Sequence, residues 1–324
     1  MSGSTLNLDY VSPDEIAGCL EKLGDRILMV VAFGAGARQH ALPPPSLWVD
    51  IPVLGEYDGC YEVWSSNLPV TVCNSANVNG ASDGELLFGS MQIEQQAGDS
   101  LETLAARAYT AIFDFTRDQG YPHLWRVWHY FPEINDPEQG LERYRCFNVG
   151  RHEAFVASGR GINEDTVPAA SALGSSSGPL VIYFMAGKQP GKPIENPRQV
   201  SAYHYPSQFG PRSPAFARAM LVTLGKQQCF IISGTASVVG YETLHPGDVL
   251  AQTQETLRNI RALQQQALTA GTGKMLLKVY LRHAEDMPQV REQIRRKLGE
   301  CRMVFLQSNI CRSDLLLEIE GISL

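Results

Sequence analysis

The sequence predicts a protein of the α/β (α+β) class, built from two similar units that each combine a mixed β-sheet with helices packed on one face. Two observations support this prediction. Strand-like apolar runs alternate with segments of helical periodicity along most of the 324 residues, and the same order of elements occurs twice. With 44% hydrophobic and 19% charged residues, the chain has the composition of a compact globular protein, and its length favours more than one domain.

The N-terminal residues 1–55 are interpreted as an arm that leads into the first unit. Ser12-Pro13-Asp14-Glu15 is a typical helix start, residues 26–34 form an apolar strand-like run, and Leu42-Pro43-Pro44-Pro45 indicates a turn.

The first unit is predicted within residues 56–200. The pattern predicts strands over 68–73 and 85–91, a helix over 101–116, a strand over 124–131, a helix over 140–157 and a strand over 180–187. A stretch rich in Pro, Gly and Ser, residues 187–212, follows. Because it also contains Tyr, Gln and Arg, it is predicted to line a site rather than to act only as a linker.

The second unit is predicted within residues 201–324, with a strand over 229–237, a helix over 249–268, a strand over 275–281, a helix over 288–298 and strands over 303–306 and 315–321. A Gly-Asp pair precedes the long helix in both units, at Gly98-Asp99 and Gly247-Asp248. The distance along the chain from each pair to the next strand is nearly equal. This spacing predicts an internal duplication.

Charge and cysteine content restrict the function. A net charge of -7 and a pI near 5.5 argue against a nucleic-acid partner, which would require an excess of basic residues. The N-terminus has no basic segment followed by an apolar one, and the apolar runs are too short to cross a bilayer, so a cytoplasmic location with no membrane partner is predicted. The seven cysteines contain no CxxC pair, which disfavours a metal site and a disulfide framework.

The second unit resembles the YjgF/RidA family of small imine-hydrolysing proteins. The likeness is carried, in chain order, by Gly210-Pro211-Arg212-Ser213-Pro214-Ala215, Ile232-Ser233-Gly234, the helix over 252–263 and Leu317-Glu318-Ile319-Glu320-Gly321. The chain departs from that family at Asn309-Ile310-Cys311-Arg312, where the expected arginine has a different spacing. A simple imine hydrolase is therefore disfavoured.

Nearly the whole chain is similar to the chorismatase family, through residues 145–155, 203–210 and 311–318. That resemblance implies two RidA-like halves and an enzyme that cleaves chorismate, a small molecule, into pyruvate and a hydroxylated cyclic carboxylate. It also implies that no cofactor and no metal are needed. The expected assembly is a monomer or a small homo-oligomer.

Glu318 is the predicted catalytic acid. Alternation along the last strand places it on one face with Glu320, and apolar neighbours would raise the pKa of its carboxyl, as a proton donor to the enolpyruvyl methylene requires. From the residues alone, such an acid can equally face solvent or pair with a lysine. The resemblance assigns Glu318 the catalytic position and leaves Glu320 a structural residue. The matching strand over 180–187 has no acid, so one unit alone is expected to be catalytic.

Cys311 and Gly234 are predicted to direct the outcome for the ring. They resemble the branch of the family that forms 3-hydroxybenzoate; Cys311 would capture or steer the ring cation, and Gly234 would leave space for the ring to move. Without the resemblance, Cys311 reads as a small buried apolar residue. Some relatives also release 4-hydroxybenzoate, so a mixed product stays open.

The substrate is a dianion and requires cationic or hydrogen-bonding partners. The residues predicted to bind it, together with Gly234, are Arg145, Arg151, Tyr203, Tyr205, Gln208 and Arg212. Two alternatives remain. One is a chorismate hydrolase that gives 3,4-dihydroxycyclohexa-1,5-dienoate and pyruvate, and the other is a non-catalytic RidA-like protein that binds metabolites.

Overall fold

The computed structural model describes residues 3–267 and 275–324. Three sheets contain most of the strands, and five α-helices are assigned within these residues. The mixed α/β class predicted from the sequence is confirmed. The predicted end of the long second-unit helix at residue 268 lies outside the described residues.

The N-terminal unit, residues 6–66, is a four-stranded sheet with one helix, although the sequence predicts only an arm here. Its strand order is β1-β5-β2-β3, whereas β4 pairs with a strand of the second unit. The elements are β1 (Leu6–Val11), α1 (Ile16–Leu23), β2 (Ile27–Phe33), β3 (Ser46–Val49), β4 (Val53–Leu54) and β5 (Cys60–Ser66). Because β5 pairs with both β1 and β2, this sheet extends past the boundary predicted at residue 55.

The first unit, residues 71–187, has the sheet order β12-β9-β13-β8-β7-β6, with a separate β10-β11 hairpin. Its elements are β6 (Thr71–Asn74), β7 (Asn79–Ser82), β8 (Leu86–Ile93), α2 (Leu101–Asp118), β9 (His123–Pro132), β10 (Pro137–Glu138), β11 (Leu141–Glu142), α3 (Arg143–Ala157), β12 (Ala169–Ser175) and β13 (Leu180–Gly187). The sequence does not predict β12.

The second unit, residues 192–323, has the sheet order β14-β15-β16-β21-β19-β20, and β4 extends it beyond β20. Its elements are β14 (Lys192–Ile194), β15 (Ala219–Leu224), β16 (Gln227–Thr235), β17 (Val238–Val239), β18 (Glu242–Thr243), α4 (Val249–Gln266), β19 (Met275–Leu281), α5 (Met287–Leu298), β20 (Arg302–Gln307) and β21 (Leu317–Ser323). Two short 3₁₀ turns, Ala202–His204 and Ser207–Phe209, lie between β14 and β15.

The long helices α2 and α4 begin in related ways. Gly98 and Gly247 have φ angles of 92° and 79°, a region that favours glycine, and each ends the turn before its helix. Ser100 accepts a hydrogen bond from the backbone N–H of Thr103, and Asp248 accepts one from that of Ala251. These N-caps satisfy backbone donors at the start of each helix.

The first and second units have the same topology. In both, the strand after the long helix pairs in parallel with the next long strand and antiparallel with the last strand of the unit. The last strand then pairs antiparallel with the strand that precedes the long helix. The two sheets therefore correspond strand by strand, as an internal duplication requires. The predicted domain boundary at residue 200 stays a prediction.

The N-terminal unit follows the same order in shortened form. Its strands β1, β2, β3 and β5 correspond to β16, β19, β20 and β21, and α1 takes the position of α4 between the first two of them. As in the other units, the pairing is parallel for β2 with β3 and antiparallel for β5 with both neighbours. The chain thus contains a third, smaller copy of the motif.

The last strands of the three units meet at one buried lysine. The ammonium of Lys278 lies 2.7 Å from a carboxylate oxygen of Glu62 on β5 and 2.7 Å from one of Glu320 on β21. It also donates a hydrogen bond to the hydroxyl of Tyr183 on β13. Glu62, Tyr183 and Glu320 therefore occupy equivalent positions in the three units. A single core of apolar side chains from all three units surrounds this centre.

Candidate active site

A pocket of about 340 Å³ opens between the first and second units. The first unit contributes the start of α3, with Tyr144 and Arg145, and the second unit contributes β16, β21 and the segment before β15. Both Glu318 and Cys311 line this pocket. The two residues predicted to be catalytic are thus brought together on one wall.

Glu318 is held on β21 opposite an irregular part of the sheet. It pairs with Tyr280 on the β19 side, and on the other side the register of β16 shifts between Ile232 and Thr235. Such a shift is a β-bulge, in which one extra residue leaves the ladder; bulges often occur next to active sites. The Glu318 residue is only 4% exposed.

Gly234 lies in this bulge and leaves the space that Glu318 occupies. A Cβ at position 234 would overlap Oε1 of Glu318 and would lie 3.1 Å from Cβ of Ser171. From the sequence, Gly234 is predicted to leave space for movement of the substrate ring. In the structure, the atom nearest to the position of its missing Cβ belongs to Glu318. Any side chain at this position would require the Glu318 carboxyl to move.

Burial makes Glu318 a weak acid. Loss of hydration raises the pKa of its carboxyl to about 8, and the negative charge of Glu320 contributes in the same direction. The positive charges of Arg126 and Arg218 oppose this rise. Near neutral pH the side chain therefore keeps its proton, which is the state that a general acid needs.

Cys311 is a neutral thiol beside this acid. Burial raises its pKa to about 12, and the neighbouring Glu318 adds to the rise. A thiol in this state is a poor nucleophile, because the reactive form is the thiolate. The surroundings therefore favour a role through size and contact rather than through attack on the substrate.

Arg151 lies below the main pocket, at an inner extension of about 30 Å³ that also touches Glu318, Cys311 and Gly234. It is 2% exposed and donates one hydrogen bond to the side-chain oxygen of Asn148, while its Nε has no partner. Within residues 3–267 and 275–324, no carboxylate pairs with Arg151. A buried cation without an anion is energetically costly, and a ligand carboxylate would remove this cost.

Arg218 is a second buried cation that lines the main pocket, and its guanidinium forms no ion pair in the described parts of the chain. Its backbone N–H donates to the carboxylate of Glu195; burial raises the pKa of Glu195, and the charge of Arg218 opposes this rise. Arg218 is 6% exposed, and its Nη2 donates to the carbonyl of Val200 and to the hydroxyl of Tyr205, both at 2.8 Å. Its Nε has no partner. The sequence does not single out Arg218, although one arginine within the apolar run over 214–222 is a usable signal of a buried functional charge.

The mouth of the pocket carries further cations and aromatic rings. Arg145 lies 3.7 Å from Glu142 in an ion pair that is partly exposed. Arg312 packs over the ring of Phe209 at 4.4 Å and over that of Tyr205 at 5.3 Å, and it donates to the carbonyl of Tyr241. These contacts fasten the segment with the two 3₁₀ turns over the pocket.

The structure brings some of the predicted substrate-binding residues to the pocket and leaves others outside. Arg145, Arg151, Tyr205 and Gly234 line the pocket or its inner extension. Tyr203 is half-buried, and Gln208 and Arg212 are exposed; none of these three lines either cavity. Residues that the prediction missed are Glu142, Tyr144, Gln199, Phe209, Phe216, Arg218 and Arg312.

In the described part of the chain, no group of three or more His, Cys, Asp or Glu side chains is placed to hold a metal ion. The same residues include no helix that is both long and apolar enough to cross a membrane.

Comparison with known proteins gives consistent matches. Residues 62–186 match the family model described as chorismatase FkbO/Hyg5-like, N-terminal. A 3-hydroxybenzoate synthase of Streptomyces hygroscopicus is 38% identical over 279 residues, which cover 81% of this chain and 80% of that protein. A chorismatase of Streptomyces rapamycinicus is 38% identical over 275 residues, with 81% of each chain covered. The crystal structure of a chorismatase superposes with a TM-score of 0.88 at 31% identity and covers 100% of both chains.

Proposed function

The chain belongs to the chorismatase family, and from this premise we propose that it is an enzyme that cleaves chorismate into pyruvate and 3-hydroxybenzoate in the pocket around Glu318. The observation that carries the proposal is a buried carboxyl, with a pKa of about 8, in a pocket bordered by two buried arginines whose guanidinium groups form no ion pair in the described residues. An uncharged acid and two cations fit a doubly negative enol ether.

The acid step uses the proton of Glu318. Transfer to the methylene carbon of the enolpyruvyl group makes the adjacent ether carbon an oxocarbenium ion, and the carboxylate left behind stabilises this positive charge in a site with little water. The bond between the ether oxygen and ring carbon 3 then breaks with its electron pair going to the oxygen, which releases pyruvate as a ketone and leaves a ring cation. For the 3-hydroxy product the free hydroxyl moves from ring carbon 4 to carbon 3, and the loss of one proton to the Glu318 carboxylate makes the ring aromatic. The two products together contain all the atoms of chorismate. The overall reaction therefore consumes no water, and Glu318 ends the cycle protonated.

The two arginines account for the charge of the substrate. Arg151 comes from the first unit and Arg218 from the second, so each unit supplies one candidate partner for a substrate carboxylate. Their guanidinium groups can form bidentate hydrogen bonds, which fix the orientation of a carboxylate as well as its position. Arg145 and Arg312 add positive charge at the mouth and favour entry of an anion.

Cys311 directs the fate of the ring in this proposal. Because its thiol is neutral, we assign it a steering role by contact with the ring rather than covalent capture. Removal of the sulfur in Cys311→Ala widens the pocket beside Glu318 and is expected to move the product towards the non-aromatic dihydroxy dienoate. An unchanged product mixture would exclude Cys311 from product control.

The direct test is incubation of the purified protein with chorismate, followed by chromatography of the products. Pyruvate and 3-hydroxybenzoate in equal amounts are expected, and 4-hydroxybenzoate would indicate a mixed product. The dihydroxy dienoate alone would indicate the hydrolytic alternative. Binding of chorismate without turnover would favour the alternative hypothesis, a non-catalytic protein that binds metabolites. A cytoplasmic location and the oligomeric state stay predictions.

A further inference from the structure

Glu320 is the most heavily bonded carboxylate near the acid. One oxygen lies 2.7 Å from the ammonium of Lys278 and accepts hydrogen bonds from Trp128 Nε1 and the Tyr280 hydroxyl. The other pairs with Arg126 and accepts a hydrogen bond of 2.8 Å from the Ser171 hydroxyl. Glu320 is 4% exposed. Five donors therefore fix this side chain as a carboxylate.

The charge of Glu320 lies on the same strand as Glu318, two residues further along the chain. Glu318 and Glu320 are two residues apart on one strand and share a face, so their side chains start about 7 Å apart. Ser171 joins the two environments: its hydroxyl bonds Glu320, and its Cβ lies beside Gly234, against which the Glu318 carboxyl packs. The two carboxyl groups line different cavities, Glu318 the pocket and its inner extension and Glu320 the buried space around Lys278, and Ser171 lies between them.

We propose that Glu320 is a positioning residue for the acid step: its carboxylate, locked by Lys278 and Arg126, places a permanent negative charge behind Glu318 and thereby keeps the Glu318 carboxyl protonated. This inference rests on the proposed function, since it concerns the same proton. It gives the buried cluster a role in catalysis beyond holding the three units together.

The balance of charges supports this role. Lys278 is shared between Glu320 and Glu62, so its positive charge is divided between two carboxylates. After burial, Glu320 is the largest contribution that raises the pKa of Glu318, ahead of the opposing effect of Arg126. Burial also opposes ionisation of Glu320, but Lys278 and Arg126 outweigh it, and the pKa of Glu320 is lowered. Glu320 thus stays charged while Glu318 does not.

Other groups also face Glu318, and they stay constant in the comparison of variants below. Close to it are Arg151 and Tyr144 from α3, Arg218 before β15, Cys311 before β21, and Tyr280 from β19, and the outer part of the same pocket adds Glu142, Arg145, Glu242, Arg312 and Asp314. Among them Arg218 lowers the pKa of Glu318.

The test is the pH dependence of kcat/KM, which reports the free enzyme. In the wild type, activity falls above about pH 8 as Glu318 ionises. Glu320→Gln removes the fixed anion and is expected to move this alkaline limb down by on the order of one pH unit, with KM nearly unchanged. Arg126→Gln removes the opposing cation and is expected to move the limb up. The double variant leaves the Lys278–Glu62 pair intact and is expected near the wild-type position.

Glu62→Gln is the graded comparison, because it removes a carboxylate from the same lysine but on β5 and not on the strand of Glu318. Since Lys278 then no longer shares its charge and neutralises Glu320 more fully, the alkaline limb is expected to move down, but by less than in Glu320→Gln. If Glu320→Gln cannot be purified in folded form, Arg126→Gln and the double variant decide the question. An alkaline limb that coincides with the wild type in the folded single variants overturns the proposal.

A second measurement separates this inference from the proposed function. Titration of ¹³C-labelled glutamate carboxyls by NMR, with the Glu318 signal assigned from Glu318→Gln, reads the ionisation of Glu318 without substrate. If the wild type does not turn over chorismate but the Glu318 titration moves down in Glu320→Gln, the proposed function fails and the positioning role stands. An unmoved titration overturns the positioning role alone.

Discussion

The first and second units share a fold, yet they place different side chains at the same point of the sheet. On the last strand of the second unit, Glu318 pairs with Tyr280; in the first unit, Val181 pairs with Tyr130. The hydroxyl groups of these two tyrosines are joined by a hydrogen bond of 2.7 Å. The shared fold therefore provides an equivalent position on the last strand of both units, and only the second unit has an acidic side chain there, Glu318.

The backbone differs beside that point as well. In the first unit β8 and β13 pair without interruption, whereas β16 and β21 change register between Ile232 and Thr235. The extra residue of the second unit lies where Gly234 makes room for the acid. In the N-terminal unit the equivalent position on the last strand is Cys60, which pairs with Phe33. An acid and a bulge occur together in the second unit, and neither occurs at the equivalent points of the other two.

The largest effect is expected when the acid is removed, which makes the second unit as inert as the first. Glu318→Gln keeps the size of the side chain but cannot donate an acidic proton, so kcat should fall by about 10²- to 10⁴-fold. The measurement is pyruvate release from chorismate. Glu242→Gln, an exposed carboxylate at the rim of the pocket, is the control and should remain active. Full activity of Glu318→Gln would show that Glu318 is not the acid and that this residue does not distinguish the two units chemically.

The next effect concerns the cation that each unit contributes. Arg151→Met and Arg218→Met should each lower kcat/KM by about 10- to 100-fold, the value of one charged hydrogen-bonded contact. Because Arg151 is buried without an ion pair, Arg151→Met should also melt at a higher temperature than the wild type. Arg218→Met should show no such gain, since it removes two hydrogen bonds and the charge near Glu195. Arg212→Met changes an exposed arginine and serves as the control. A stronger effect of Arg212→Met than of the other two would favour the original sequence prediction.

A smaller effect is expected from Gly234→Ala, which adds one methyl group to the bulge. Since this methyl overlaps Oε1 of Glu318, the carboxyl must move, and a displacement of about 1 Å in a catalytic group lowers rates by about tenfold or more. Gly18→Ala, in α1 and outside the pocket, adds the same methyl group where no atom lies within 4 Å and is the matched control. Equal rates for Gly234→Ala and wild type would show that the bulge does not set the position of the acid.

The last comparison concerns stability and not rate. The unfolded chain releases the Glu318 proton near pH 4.3, whereas the folded protein keeps it to about pH 8. Between these values the folded state holds more protons, so stability falls with rising pH by up to about 1.4 kcal/mol per pH unit. Glu318→Gln lacks this loss and should become more stable than the wild type as pH increases from 5 to 8. Denaturant unfolding at several pH values measures the difference; parallel stability curves would contradict it.

The sequence predicts those parts of the fold whose residues are strongly apolar. Strands β13 and β19 have the predicted bounds, because β13 is apolar throughout and β19 is apolar except for Lys278. Strand β12 consists mostly of alanine, serine and glycine, which have weak strand preference, and nothing in its pattern predicts it. The sequence does not reveal the N-terminal copy because its helix is short. Helix α1 has 8 residues, whereas the corresponding α4 has 18, so the two do not share a recognisable pattern.

For the site, the sequence predicts what lies within a motif and misses what long-range packing assembles. Glu318, Cys311 and Gly234 are identified from their motifs, and the structure places all three on one wall. Arg218 reaches the pocket only because β15 enters the sheet beside β16, a pairing that local periodicity does not predict. Gln208 and Arg212 lie in a motif of the right type, yet the turns that carry them point these side chains to solvent.

The meeting of three last strands at Lys278 has a consequence for how the active pocket is maintained. The units that form it are joined covalently, so their effective concentration is set by the connecting segments and not by the amount of protein in solution. All the wall residues described above belong to one chain. Specific activity should therefore stay constant on dilution to nanomolar protein, where a site shared between separate subunits would come apart.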